Sequence, residues 1–151
     1  MTTKHDAIIF LNHTIRPALL SLPALGRIPL WSTAAGELLL GTAIAESDLR
    51  HRKQFPHGPA RSFFQMEPDT HDDIWNNYLK YKPKLGEAII SLMTSPDADK
   101  LLELEKNDKY ACAMARAHYA RVSKALPKAG DVDAMAQYWK RYYNTKGGKG
   151  N

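Results

Sequence analysis

The chain has 151 residues, 44% of them apolar, and a formal charge of +5, which bounds it to one domain with room for a real core and excludes global disorder. Its longest apolar runs carry Gly, Pro or Thr and fall far short of the ~20 residues that a membrane span needs. A single cysteine, Cys112, excludes an internal disulfide and suits a reducing compartment.

The apolar spacing is helical almost throughout. Ile8, Leu11, Ile15 and Leu19 step by three and four, which predicts a first helix ending before Pro23. A second helix opens at Ser32, a suitable N-cap, and carries Leu39, Leu40, Ala43 and Ile44. The residues 50–61 that follow hold no helical pattern, so they read as a loop, either a connector or a functional wall. Pro68 suits the first turn of a helix through Ile74, Trp75 and Tyr78. Pro83 starts another through Ile89, Ile90 and Met93, and a short helix follows around residues 101–104. Ala111, Ala115, Tyr119, Val122 and Leu126 predict a long, Ala-rich central helix stopped by Pro127. Val132, Met135, Trp139 and Tyr142 mark a last amphipathic helix, and the Gly/Lys tail 146–151 should fray. Strand-like alternation is nearly absent. The expected fold is all-α, with short connections.

Positive residues gather at 50–53 and between 140 and 149, which suits an anionic partner or is simply solvated surface. No helix-turn-helix, zinc-finger or aromatic-interleaved basic strand points to nucleic acid. The opening residues lack the basic-then-apolar order of a secretory signal, since Asp6 interrupts them; synthesis in a cytoplasm is expected.

Glu46 is the residue on which the functional reading turns. It follows Leu39 by seven positions and Ala43 by three, which puts it on the apolar face of the second helix or at that face's C-terminal edge. The negative end of the helix dipole and partial burial both disfavour its ionisation, which fits a proton donor. An edge-of-core Glu paired with Arg50, its i+4 neighbour, or with Arg52 fits the same position.

Around it stand Ala43-Ile44-Ala45-Glu46-Ser47, then Gly58-Pro59-Ala60, then Ser62-Phe63-Phe64-Gln65-Met66-Glu67-Pro68-Asp69-Thr70. This stretch resembles the active-site region of the lytic transglycosylase and goose-type lysozyme branch of the lysozyme superfamily. There an apolar helix ends in Ala-x-x-Glu-Ser, and a loop leads to Gly-Leu-Met-Gln-x-x-Pro-x-Thr. The separation of Glu46 and Gln65, nineteen residues, is close to the family's spacing. The resemblance is specific over about thirty residues and architectural elsewhere.

That resemblance implies a lysozyme-like domain over 1–145 with a substrate cleft, ahead of the tail 146–151. Glu46 would be the single catalytic acid/base, acting between N-acetylmuramic acid and N-acetylglucosamine of peptidoglycan. Ser47 would orient the acid or a substrate group. Gln65, with the backbone near Phe64 and Met66, would hydrogen-bond sugar, and one of Phe63 and Phe64 would line the groove. Two departures stand out. The family's Gly before Leu-Met is Ser62 here, so that backbone must avoid φ > 0 or carry its strain. The family's later Ala-Tyr-Asn-Ala-Gly motif has only Ala117-His118-Tyr119-Ala120 near it, where Tyr119 or His118 replaces the cleft Tyr or simply packs.

Length and ending also resemble compact transglycosylase-like proteins of tailed phages. The particle, or lysis, would then carry the protein from the bacterial host cytoplasm to the periplasm and wall, with other virion or tail proteins as partners. The alternative is a virion structural or assembly protein that keeps the fold without turnover.

The remaining signals add little. His51, His57, His71 and Cys112 lack metal-ligand spacing, and neither metal nor cofactor is expected. Asp6, Asp48, Asp69, Asp72 and Asp73 are the candidates for a second carboxylate, which an inverting hydrolase holds roughly 6.5–9.5 Å from its acid. Asp48 should point outward, about 200° round the helix from Glu46. The one-acid route is therefore preferred, in which the sugar's own 6-hydroxyl closes a 1,6-anhydro product. Trp75 and Trp139 sit on apolar faces, as core or as sugar platforms.

Overall fold

Ser32 opens the helix that carries Glu46: in extended conformation, its hydroxyl accepts the amide of Ala35 and caps α3, Thr33–Ser47. The computed structural model describes residues 1–144, so the tail 146–151 lies outside the described residues. Before α3, α1 (Lys4–Phe10), a π-helical segment (Leu11–Ile15) and α2 (Arg16–Leu20) run on as one stretch. Thr3 and Asp6 form a reciprocal capping box at its start. Among the described residues the regular elements are all helical, and the β pairings are isolated bridges.

After the loop come α4 (Pro68–Asn77), a 3₁₀ turn (Leu79–Tyr81), α5 (Pro83–Ile90), α6 (Lys100–Lys106), α7 (Asp108–Ala120) and α8 (Val132–Tyr142). Proline stands in the first turn of both α4 and α5, where its missing N–H costs nothing. The Ala-rich α7 is the centre of the core and packs against α2, α3, α4, α5 and α6. Ala111, Cys112, Ala113, Met114, Ala115 and Ala117 are all buried, so small side chains let neighbours approach on several sides. Close approach also explains Gly36: a Cβ there would lie 2.6 Å from the ring of Trp31.

The central helix is shorter than its apolar spacing predicts, ending at Ala120 rather than running to Pro127. The amide of Val122 turns back to the carbonyl of Tyr119, and the Lys124 carbonyl accepts the hydroxyl of Tyr138 on α8. Tertiary packing against α8 thus draws 121–126 off the helical path. Val122 and Leu126 still pack on the core, which is why the pattern looked helical.

The segment 50–61 is docked and not a loose connector. Arg52 donates twice to Asp108 at the start of α7, both bonds at 2.9 Å, and its guanidinium lies 4.2 Å from the Phe63 ring centroid. Arg61 pairs with Glu105 of α6 at 3.3 Å. Lys53 and Met66 each bridge to Arg61, in a miniature ladder that leads into the turn 62–65.

Candidate functional site

Two successive residues with left-handed backbone, Asp48 (φ 54°) and Leu49 (φ 54°), stop α3 just after Glu46. Asp48 lies past the last helical residue in left-handed backbone, so the angle round the helix does not set its direction; its partners do. Thr2 donates to it through backbone and side chain, and Arg50 pairs with it at 3.2 Å. Arg50 and Arg52, the partners of Glu46 in the alternative reading, form ion pairs with Asp48 and Asp108.

Glu46 is half-buried, and its Oε2 accepts the indole N–H of Trp139 at 3.0 Å. One turn earlier, the Thr42 hydroxyl donates to the Leu38 carbonyl, so the hydroxyl of Tyr119, 2.7 Å away, donates to Thr42. Tyr119 stacks between Tyr138 and Tyr143, with ring centroids at 5.6 and 5.2 Å. Burial first, and the charge of Glu46 second, raise the pKa of Tyr143 well above the phenol value. Burial also raises that of Tyr119, against the lowering effect of its bond to Thr42, with Glu46 adding to the rise. Both phenols therefore stay neutral beside the carboxyl.

Ser47 is buried, and its hydroxyl lies 2.7 Å from the Phe63 carbonyl, to which it donates, while accepting the amide of Leu49. This bond ties the end of α3 to the turn 62–65 and joins the two halves of the sequence pattern. In that turn, Ser62 takes φ 72° and Gln65 φ 50°, so Ser62 adopts the left-handed backbone that glycine would take without strain. The Ser62 carbonyl accepts both the amide and the side-chain N–H of Gln65, and its hydroxyl accepts the amide of Phe64. Phe63 and Phe64 are both buried against Phe10, so the turn's aromatics pack inward.

Gln65 and Met66 instead line a groove of about 240 Å³ with Thr70, Asp73, His118, Arg121 and Tyr143. Arg121 crosses it, bonding Asp73 through Nη1 at 2.6 Å and donating to His118 Nδ1 at 2.9 Å. Tyr143 borders this groove, feels Glu46, and donates its hydroxyl to the Phe64 carbonyl at 2.7 Å. Of the sequence-derived site residues, Gln65, Met66 and His118 line this groove, whereas Glu46, Ser47 and Tyr119 are not among its lining residues and connect to it through Ser47–Phe63 and the ring of Tyr143. The fold places Tyr119 in the packed tyrosine cluster.

Tyr143, and the contact of Trp139 with Glu46, are the additions that sequence spacing did not supply. Trp139 reaches Glu46 from α8 and Tyr143 reaches the turn from the residue just after it, more than seventy residues away along the chain, and only the need of an indole or phenol for a polar partner hints at them. Among the described residues no group of three or more His, Cys, Asp or Glu is placed to hold a metal ion, and no helix is long and apolar enough to cross a membrane. Comparison with protein-family models, curated proteins and solved structures finds no match to this chain.

Proposed function

We propose that the protein cleaves the glycan strand of peptidoglycan, with Glu46 as its single acid/base. The observation that carries this reading is the setting of Glu46. It is a half-buried carboxyl at the end of α3, fixed by Trp139 and tied through Ser47 to the turn that presents Gln65. In the lytic transglycosylase route, the Glu46 carboxyl gives its proton to the glycosidic oxygen as the C1–O bond breaks. The carboxylate then takes the proton of the muramyl 6-hydroxyl as that oxygen bonds to C1, which closes the 1,6-anhydro ring. No second carboxylate or outside reagent is needed. Gln65, Met66 and His118 would hold sugar in the groove, while Ser47 and Tyr119 position the helix end that carries the acid. A phage particle, or lysis, would deliver the protein to the wall, where exposed basic residues such as Lys53 meet anionic peptide stems.

A second reading is favoured by one observation. The groove beside Gln65 holds about 240 Å³, below the ~300 Å³ at which ligand sites usually begin, and the buried ring of Tyr143 borders it. A virion structural or assembly protein with a filled cleft would have such a restricted groove. Purified protein on isolated peptidoglycan, with products read by mass spectrometry, decides. Anhydro-muramyl ends from the wild type, and a loss of at least a hundredfold in a folded Glu46→Gln variant, are expected. Absence of cleavage by the wild type selects the structural reading.

A further inference from the structure

A second cavity, which shares Arg121 with the groove beside Gln65 and opens on the other side of it, holds about 640 Å³. Its lining includes Arg116 of α7, a residue only 3% exposed. The Nε of Arg116 donates to the Leu30 carbonyl at 2.9 Å, and among the described residues neither Nη nitrogen has a hydrogen-bond or carboxylate partner. A guanidinium cannot escape burial by losing its proton at any ordinary pH. A buried charge without a counter-ion is costly, and the cost is relieved only by a group that accepts its forked donors.

The wall of the cavity is built for such a group. Lys82 and Lys124 stand exposed on its rim, Tyr78 and Tyr138 border it, and no carboxylate lines it among the described residues. Tyr78 and Tyr138 lie close enough to Arg116 for its charge to act on both phenols. Leu25, Ile28, Leu30 and Leu126 supply an apolar side. We propose that this cavity binds the oxyanion of a small ligand, a carboxylate or phosphate held by the Nη groups of Arg116, with a short apolar body against the leucine-lined wall. The two terminal nitrogens of a guanidinium match the two oxygens of such a group. Nothing in this inference depends on what Glu46 does.

The test titrates the full chain separately with inorganic phosphate and with butyrate, against sodium chloride of equal ionic strength. It reads Tm and the ¹H–¹⁵N signals of the Arg116 Nε–H and of the amides around Leu30 and Val122. A saturable Tm rise with shifts centred on Arg116 is expected for at least one of the two anions, and which anion acts tells phosphate from carboxylate. Arg116→Met keeps an apolar stem and should weaken that response at least tenfold. Should Arg116→Met fail to fold, Lys82→Ser/Lys124→Ser, altered only at the exposed rim, should weaken it severalfold. The inference is overturned if chloride reproduces the response, if neither anion gives a saturable one, or if the variant that folds responds as the wild type does.

Discussion

The indole N–H of Trp139 meets Oε2 of Glu46 at 3.0 Å, across 93 residues of chain. This bond makes α8 part of the environment of the proposed acid. Trp139→Phe keeps a ring at the position and removes the donor. If Glu46 is the acid, its carboxyl loses an orienting bond, and kcat for glycan cleavage should fall severalfold with KM little changed. An unchanged kcat in a folded Trp139→Phe variant would separate Trp139 from the chemistry.

Ser62 supplies the second prediction. Its left-handed backbone, φ 72°, costs about 1 kcal/mol that glycine would not incur. Its hydroxyl recovers about the same by accepting the Phe64 amide. Ser62→Gly gives up the bond and the strain together, so urea denaturation should show a change within about 0.5 kcal/mol. Ser62→Val keeps the strain, worsens it with a branched Cβ and loses the bond. It should cost more than about 2 kcal/mol. Equal losses in the two variants would mean that backbone strain at Ser62 is not the controlling quantity.

These two residues also show how far the sequence reached. The sequence leaves two outcomes at Ser62, a backbone that avoids φ > 0 or one that carries its strain, and the φ of 72° is the second. The caps and starts of helices at Ser32, Pro68 and Pro83 were legible, because each rests on local chemistry within one turn. The end of α7 was not. Val122 and Leu126 keep helical spacing, and only Tyr138, from another helix, holds the Lys124 carbonyl away from that path. Arg52 shows the same limit, since nothing near position 52 announces Asp108 as its partner. For the candidate site, Glu46, Ser47 and Gln65 share one local pattern, whereas Trp139 and Tyr143 enter by tertiary contact alone.

His71 gives a pH prediction. The Asp72 carboxylate can only accept, so Nδ1 carries the proton towards it at 2.9 Å; in the neutral ring Nε2 then accepts the Tyr110 hydroxyl at 2.8 Å, whose oxygen also accepts the Trp75 indole N–H at 2.9 Å. Burial pushes the pKa of His71 down, against the raising effect of Asp72, with Lys100 lowering it further and Asp99 raising it. In the unfolded chain it titrates near pH 6.5. With the folded value below the unfolded one, the unfolded state binds more protons between the two. The contribution is therefore fully present above about pH 6.5 and is lost as pH falls through the folded value. His71→Gln should flatten the fall in stability below pH 6.5, seen as a smaller drop in Tm on acidification than in the wild type. An equally steep drop would place the titration elsewhere.

Tyr143 separates the two readings of the protein. Its ring is buried, it borders the groove that Gln65 lines, and Glu46 acts on its phenol. Tyr143→Ala should lower stability by about 3–5 kcal/mol, the range for deleting a large buried aromatic. Tyr143→Phe loses only the bond to the Phe64 carbonyl, about 1 kcal/mol. If the protein is an enzyme whose groove this ring restricts, the alanine variant, assayed below its own Tm, should bind chitooligosaccharide more tightly and keep or increase glycan cleavage per folded molecule. If it is a structural protein, the ring is only packing: stability falls by the same amount and no saccharide binding or cleavage appears in either variant. Calorimetric titration with chitooligosaccharide beside the peptidoglycan assay distinguishes the outcomes. Loss of stability with no gain in binding would count against a Tyr143-gated groove.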